Sequence, residues 1–560
     1  MLSNLEKFTY NQVNTNIKRS KIGRDFEHVT TFNSGKLIPI YVEHAMPGDT
    51  VELSMASVVR MLSPVVPTMG QVVMDIYFFS VPYRLLDKFA DVGSTLTGNK
   101  IWAQVCGENT NGYWTPASEK TLGEIGFAKA AAGSLGNYLG LPIVDFNFPT
   151  SPTQSDWEAL PKLNALEFGA YVVTWNEYFR DQNIQAPKGL NDVIDSVRIN
   201  GSYKYFYKNA ACFNVNRLHD YFTSCLPAPQ KGPAVTVPLG TSADIKRKNA
   251  QPDIFVNATD TATLSSGNVT VSAISGATNT TVLHANSKEL YLKPDNLYAD
   301  LTTATASTIN QLRTAFAVMR LEERDARSGT RYREVIKAHF NTTIKDSTAQ
   351  VPEYLGGKRI PIVINQVIQS SAGDGSTTTE LGTTGAFSNT NDKSNICIKS
   401  FDEWCVVLGV ACIRNKEQYS QGIDCFKTKF RRFDFYWPAF ANLGEKAVLQ
   451  KELYVTGNPT YDEQVFGYQE AWAEYRFHPS LITGNVAPAA GDATLAPYSY
   501  SNNFSSNPTL SGFIPSDSAV IGNTLYDTNT TTQFLADFFF KNTWIRPMPV
   551  VSIPGLIDHN

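Results

Sequence analysis

The residue types that most often carry out catalysis are sparse in this 560-residue chain and do not form groups. It has seven histidines, and no two of them stand at the spacing of metal ligands. It lacks a C-x-x-C pair, a G-x-x-x-x-G-K-[ST] or G-x-G-x-x-G phosphate loop, an H-E-x-x-H pair and a G-x-S-x-G elbow. The seven cysteines are odd in number and spread along the chain, so we predict buried free thiols rather than disulfides. We therefore expect no catalytic residue, no metal site and no cofactor.

One pair of carboxylates needs a separate test. Glu470 and Glu474 would share a face of a helix, and two such carboxylates can hydrolyse a glycosidic bond. A polar helix face or an ion pair with Arg476 explains the same residues without catalysis. We favour this structural interpretation, and for His339 and His219 we likewise expect structural hydrogen bonds. The chain is not predicted to be an enzyme.

The clearest charge feature lies near the N-terminus. Residues 7–24 carry five cations and no Asp or Glu, an arrangement that can lie against phosphates, while Phe8 and Tyr10 could stack on unpaired bases. A solvated flexible arm, or an arm that lies under a neighbouring subunit, explains the run equally well. The net charge of −4 excludes bulk condensation of nucleic acid, so a genome packed inside would need another basic component. The candidate nucleic-acid-binding residues are Lys7, Lys18, Arg19, Lys21 and Arg24.

The elements that could position these residues are mostly β-strands. Apolar, aromatic runs at 71–81, 360–368, 405–413, 430–437 and 538–549 are punctuated by Gly and Pro, which is typical of strands. They come from both ends of the chain, so we predict an antiparallel sandwich or barrel. A sandwich of one domain runs to roughly 200–250 residues. The chain is therefore either several domains or one core with large insertions.

The remaining sequence is polar or helical. The stretches 257–282, 369–395 and 485–532 are rich in Thr, Ser, Asn, Ala and Gly, so we predict long surface loops, with disordered linkers as the alternative. Apolar spacing predicts a helix over 168–179 and two helices within 308–340, separated at Gly329. We expect the apolar faces of all three helices to pack on the core.

A dense run, His219-Asp220-Tyr221-Phe222-Thr223-Ser224-Cys225-Leu226-Pro227-Ala228-Pro229-Gln230-Lys231-Gly232, resembles a signature of the major capsid proteins of microviruses, especially their gokushovirus branch. Further blocks resemble that family, in family order, from about residue 28 to residue 484. The chain departs from the pattern at Thr68-Met69-Gly70 and in the segment after Phe340. The matching blocks are 30–39, 47–50, 60–67, 75–84, 175–183, 331–340, 352–357 and 466–484.

The resemblance implies an eight-stranded viral jelly roll with long loop insertions and a few helices. It also implies a T=1 icosahedral shell around a circular single-stranded DNA genome, in which a surface insertion builds a threefold protrusion that meets a host receptor. The segments expected on this basis are a basic arm (1–30), the first part of the core with helical insertions (31–240), the protrusion (241–305), the second part of the core (306–484, with helices 308–340 and polar loop 369–395), a polar surface loop (485–532), and a core strand with tail (533–560).

The partners expected from the resemblance are further copies of the chain, the single-stranded DNA, a small basic DNA-packaging protein, a pilot protein, a scaffolding protein and a host surface receptor. Neither a secretory signal nor a membrane-spanning stretch is visible, so we expect assembly in the bacterial host cytoplasm and a final location in the virion. Two other classes stay open. A phage receptor-binding or spike protein would explain the polar loops, and a lectin-like glycan-binding β-sandwich would explain the strands and the low charge.

Overall fold

The longest strands of this protein pair into two antiparallel sheets. The computed structural model describes residues 18–86, 125–146, 148–149, 151–233, 235, 244–247, 284–285, 288–289, 297–300, 309–370, 382, 384–488, 494–526 and 532–551. The strands are β1 (Ser20–Gly23), β2 (Phe26–Phe32), β3 (Ile38–Ala45), β4 (Thr50–Met61), β5 (Val72–Pro82), β6 (Ile125–Gly126), β7 (Lys129–Ala130), β8 (Val144–Asp145), β9 (Lys162–Leu163), β10 (Ile194–Ile199), β11 (Ser202–Tyr207), β12 (Asp244–Arg247), β13 (His284–Ala285), β14 (Lys288–Glu289), β15 (Leu297–Asp300), β16 (Glu353–Pro361), β17 (Ile364–Ile368), β18 (Thr384–Ser388), β19 (Thr390–Ser400), β20 (Cys405–Asn415), β21 (Glu445–Leu449), β22 (Val465–Glu470) and β23 (Phe534–Arg546).

The helices in the described ranges are fewer than the strands. They are α1 (Leu135–Tyr138), α2 (Gln154–Ala159), α3 (Leu166–Thr174), α4 (Ile309–Ser328), α5 (Tyr332–Phe340), α6 (Asp346–Ala349), α7 (Gln450–Leu453), α8 (Pro459–Asp462), α9 (Leu510–Phe513) and α10 (Ser518–Gly522). A π-helical turn, Trp175–Phe179, continues α3. The predicted helices therefore form, and the chain breaks at Gly329, whose φ is +94°.

The first sheet joins the two ends of the described chain. Its order is β1-β23-β4-β19, and β2 pairs with the other half of β23. Every second side chain of β4 and β23 is buried, so one face lies on the core and the other faces outward. The prediction that both ends of the chain contribute strands to an antiparallel β fold is confirmed.

The second sheet has the order β16-β5-β20-β3. Nearly all side chains of β5 and β20 are buried, because α3 covers the face that points away from the first sheet. Rings of both sheets meet in the core, where Tyr41 of β3 lies 5.1 Å from Phe540 of β23 between ring centroids. The fold is thus a mainly β, antiparallel sandwich with few helices.

Three polar or aromatic segments differ from the sequence prediction. The aromatic run 430–437 is not a strand: it folds into short 3₁₀ turns with most of its rings exposed. Residues 384–395, predicted as part of a polar loop, lie in β18 and β19, because backbone pairing with β17 and β4 needs no apolar side chain. The stretch 485–532 is not only a surface loop, since its rare apolar residues Tyr500, Phe513 and Ile521 are buried.

Two further expectations on packing need correction. Residues 20–30 belong to β1 and β2 rather than to a free N-terminal arm, and Lys7 lies outside the described residues. Only the apolar face of α3 packs fully on the core. On α4 the side chain of Phe316 is 60 % exposed, and on α5 that of Phe340 is 71 % exposed. A helical repeat of apolar residues identifies a face, but it does not tell whether the same subunit covers it.

The chain divides into two units. The larger unit comprises 1–231 and 323–560 and holds both sheets. The smaller unit, Gly232–Glu322, contains the predicted insertion 241–305, of which the structure describes the antiparallel pairs β12–β15 and β13–β14. No helix among the described residues is long and apolar enough to cross a membrane.

Candidate functional site

The signature run 219–232 begins with a tight turn built around Asp220. Its Oδ1 accepts hydrogen bonds from the backbone N–H of Phe222 at 3.1 Å and of Thr223 at 2.8 Å, and from the Thr223 hydroxyl at 2.9 Å. The Tyr419 hydroxyl donates to Oδ2 of the same carboxylate. Burial raises the pKa of Tyr419 well above its usual value, so this hydroxyl remains a donor. The turn is therefore held by its own side chains and by a residue 199 positions away.

This turn organises a second, smaller hydrophobic core. Phe222 packs against Tyr419 and Phe466 with centroid distances of 4.9 and 6.3 Å, and the backbone of Leu226 bridges to Tyr468 of β22. The prolines and glycine that follow are exposed or half-buried. The buried members of this core are Tyr221, Phe222, Cys225, Tyr419, Val448, Leu453, Phe466, Ala473, Leu510, Phe513 and Ile514. The aromatic density of the signature thus serves packing.

A buried ion pair, which no sequence pattern predicts, lies directly before the signature. The Arg217 side chain is 5 % exposed and donates to Glu417 at 2.7 Å and to Asn502 at 2.8 Å. Burial raises the pKa of Glu417, and the positive charge of Arg217 opposes that shift. The partners are 200 and 285 residues away, so no local pattern could have linked them.

A cavity of about 720 Å³ lies beside the signature turn. Its wall contains six arginines, and rings of β5 and of the π-helical turn form a second part of the lining, with Phe79 4.6 Å from Tyr178 between centroids. His219 is exposed at this cavity, and within the described residues its ring has no hydrogen bond, contrary to expectation. The arginines are Arg180, Arg217, Arg327, Arg331, Arg333 and Arg414.

The charges of this wall decide what the cavity can bind. Five of the six guanidinium groups are ion-paired: Arg333, for example, lies 3.3 Å from Glu177 and 3.2 Å from Asp346. Only Arg180 has no carboxylate within ion-pair distance among the described residues, and burial beside Arg331 lowers its pKa. The cavity is therefore not strongly positive, and its arginines hold elements together.

The carboxylates weighed for glycoside hydrolysis do not form a pair. Glu470 ends β22 and is ion-paired with Arg476 and Arg327, and Glu474 lies in a 3₁₀ turn, 2.7 Å from Lys429. The helix assumed for them is absent, and the ion pair with Arg476 is present. Each charge is neutralised by its own cation, as the structural interpretation predicts.

The thiols and the remaining histidine agree with a structural role. Cys212, Cys225, Cys405 and Cys412 are buried and free, and burial raises the pKa of Cys405 and Cys412 to about 12. His339 lies 2.7 Å from Asp325 and is half-buried, so its predicted hydrogen bond exists. The described ranges contain no cluster of three or more metal-ligating side chains.

The N-terminal cations separate into two groups. Lys18, Arg19 and Lys21 are exposed and have no carboxylate within ion-pair distance in the described part of the chain. Arg24 instead donates to Glu43 at 2.7 Å. Three of the four described candidates therefore remain available to an external anion.

A second surface feature was recognised in the sequence only as a strand. Ten of the twelve large apolar side chains that are 39–86 % exposed between residues 426 and 481 form what we call the aromatic surface. It consists of Phe426, Phe430, Phe433, Phe435, Tyr436, Trp437, Leu443, Tyr475, Phe477 and Leu481. The aromatic composition was the available signal, but composition alone does not distinguish a core strand from an exposed contact surface.

These features define a class. An antiparallel sandwich with long insertions, an organising aromatic turn and a broad exposed apolar surface is typical of structural proteins that assemble with other chains. Comparison with known proteins agrees. A family model described as "Capsid protein (F protein)" matches residues 11–116 and 150–556.

The relatives are capsid proteins of phages. Capsid protein VP1 of Bdellovibrio phage phiMH2K is 35 % identical over 553 residues, covering 96 % of this chain and 95 % of its own. Capsid protein VP1 of Chlamydia phage 1 is 31 % identical (99 % and 98 % coverage), and that of Spiroplasma virus 4 is 31 % identical (96 % of each chain). The chain belongs to the capsid protein (F protein) family. It is a structural capsid protein of a phage virion, and the resemblance to microvirus capsid proteins is confirmed.

Proposed function

We propose that copies of this chain assemble into a T=1 icosahedral shell that encloses a circular single-stranded DNA genome. In this proposal the sandwich has jelly-roll topology and forms the wall of the shell. The observation that carries the proposal is the match to a capsid family over both 11–116 and 150–556, a span that includes almost every described strand. In this proposal Tyr221, Phe222 and Cys225 of the signature act by building the second core.

Contact with the genome is assigned to the N-terminal cations. Lys18, Arg19 and Lys21 follow one another at the start of β1, are exposed and lack a carboxylate partner in the described ranges, so phosphate groups can replace water around them. Lys7 belongs to the same run but lies outside the described residues, and Arg24 contributes less because Glu43 neutralises it. The net charge of −4 leaves most of the genome's charge to a small basic packaging protein.

Host attachment is assigned to the insertion 241–305. It falls within the smaller unit, Gly232–Glu322, whereas both sheets lie in the larger unit. A segment outside the unit that holds the sheets can vary in sequence, as a receptor-binding protrusion at the threefold axis must. A pilot protein and a scaffolding protein complete the proposed set of partners.

The test is electron microscopy of particles from a producing culture, together with sedimentation and protein identification. We expect closed shells of uniform size with this chain as the main component and knobs on the threefold axes. Particles whose shell is built from another chain would refute the proposal and favour a spike protein.

The DNA contact has its own test. In particles, Lys18→Ala/Lys21→Ala should reduce the packaged DNA and weaken its salt-sensitive retention. The matched control is Lys129→Ala/Lys358→Ala, which removes two lysines that already have carboxylate partners at 2.6 Å. Equal DNA content in both variants would contradict the assignment.

A further inference from the structure

The aromatic surface is one continuous patch. Tyr475 joins its two sequence segments, with Phe426 at 4.8 Å and Tyr436 at 6.1 Å between ring centroids. The Arg432 guanidinium lies 4.9 Å from the Trp437 ring and 6.0 Å from that of Phe433, which extends the patch. At its other end Phe426, Phe477 and Leu481 line one small cavity.

Buried contacts beneath the exposed rings hold the aromatic surface rigidly. Lys429 is buried, its ammonium lies 4.4 Å from the Tyr475 ring and 5.6 Å from the Trp472 ring, and it is paired with Glu474 at 2.7 Å. The Trp472 indole donates to the carbonyl of Phe440 at 2.9 Å, and the Trp437 indole to that of Arg432 at 3.0 Å. A buried charge with a fixed partner is costly to rearrange, so a partner would meet preformed rings and order few side chains on binding.

The size of the exposed apolar area distinguishes a functional patch from the ordinary exposure of apolar side chains on a monomer. Ten large apolar side chains that are about half exposed present roughly 1,000 Å² of apolar surface, if a fully exposed aromatic side chain offers about 200 Å². The largest apolar patch of an ordinary monomer is about 300–600 Å². One partner in a stable protein–protein interface buries about 800 Å². The surface is therefore large enough for one full interface.

We propose that the aromatic surface contacts a second copy of this chain in the shell; this inference rests on the proposed function. The occupant is a further copy because the chain is a capsid protein and the patch matches one side of a standard interface. Arg431 and Arg432 are exposed and have no carboxylate within ion-pair distance among the described residues, so the opposing surface carries acidic side chains. The cavity beside Phe426, of about 100 Å³, takes one apolar side chain of the neighbour.

Photo-crosslinking in assembled particles tests the contact directly. Particles are made from the chain carrying Phe430→p-benzoylphenylalanine, at the most exposed position of the patch, 86 % exposed. Illumination should give a product of twice the 61.8-kDa chain, with the cross-linked peptide from a second copy. A product with another virion protein or with DNA, or no product in intact particles, would overturn the proposal. A failure of the unmodified chain to form shells would instead refute the proposed function.

Assembly of charged variants gives an independent readout. Phe430→Arg/Phe433→Arg should lower the yield of shells at least tenfold while the melting temperature of the unassembled chain stays unchanged, since both side chains point to solvent. The matched control is Phe340→Arg, which charges a comparably exposed aromatic on α5, outside the patch, and should leave the yield within twofold. Full yield from the double variant, or an equal loss in the control, would overturn the assignment of this surface.

Discussion

The guanidinium group of Arg217 is buried, and only its contacts in the tertiary structure explain this burial. Arg217 also lies over the Phe513 ring at 4.3 Å, so one side chain joins the segment before the signature to Glu417 and to the aromatic second core. A buried pair of charges gains little over a pair of apolar residues, but removal of one partner leaves the other charge buried without compensation. The stability of this region therefore depends on keeping both.

Arg217→Met should lower the free energy of unfolding by about 3–5 kcal/mol, because Glu417 would remain buried without its cation. Urea unfolding of the unassembled chain measures the change. Lys129→Met is the matched control: its ion pair with Asp145 is equally short but half-exposed, so the cost should stay within about 1 kcal/mol. Addition of Glu417→Gln to Arg217→Met should recover part of the loss. A cost for Arg217→Met no larger than that of the control would refute the argument.

Glu27 and Asp537 lie on the outward face of the first sheet. A hydrogen bond that protonated Glu27 donates to the Asp537 carboxylate, and then the negative charge of Asp537, raise the pKa of Glu27 above the usual 4.5. A carboxyl group whose pKa is raised on folding stabilises the protein below its unfolded pKa, and that contribution is lost as pH rises through the folded pKa. Stability from this pair should therefore decrease with rising pH, and Asp537→Asn should remove the slope.

Urea midpoints measured from about pH 3 to about pH 8 would show this slope. Asp462 provides an internal control of opposite sign, because hydrogen bonds from Thr456 lower its pKa and its contribution is lost as pH falls. Asp462→Asn should thus lower stability above the unfolded pKa of an aspartate and leave the acid end of the profile unchanged. An Asp537→Asn profile identical to that of the unmodified protein would count against the shared hydrogen bond.

At the scale of elements, the sequence predicts strands best where both faces are buried. β5 and β20 are continuous Val, Ile and Phe runs, and both form where expected. β18 and β19 escape prediction because their polar side chains face outward and their pairing depends on distant strands. The prediction of a strand over 430–437 is wrong in the opposite way. Aromatic residues that a second copy would cover have the same sequence pattern as residues in the core of one chain.

The signature turn gives a prediction at this scale. Asp220→Ala removes the acceptor of three hydrogen bonds within the turn and of the Tyr419 hydroxyl, so the free energy of unfolding should fall by about 2–3 kcal/mol. Asp462→Ala removes a similar set of bonds, to Thr456 and Gly457, at an exposed site, where water replaces the carboxylate and the cost should be clearly smaller. Chemical denaturation compares the two, and equal costs would show that the turn does not organise the second core.

For the whole molecule, the division into two units separates the part that holds both sheets from the unit Gly232–Glu322. Both hydrophobic cores draw their residues from 32–225, 360–473 and 500–544, so distant parts of the chain fold together as one body. The sequence indicated this arrangement only through strands at both ends and through the polar texture of the insertion. The contacts between the distant segments of the larger unit could not be predicted, because partners such as Ser34 and Gln533 are 499 residues apart.

Replacement of residues 241–305 by a short Gly/Ser linker should leave the larger unit folded, because these residues belong to the smaller unit and both sheets lie in the larger one. We expect the thermal transition of that unit to be retained and shells to assemble, while adsorption of particles to host cells is lost. Calorimetry, sedimentation and an adsorption assay measure the three properties on the same preparation. As a control, replacement of 371–381 between β17 and β18, a stretch of similar polar composition, should preserve adsorption. Full adsorption without 241–305 would remove the attachment role from the insertion, whereas loss of folding would show that the larger unit depends on it.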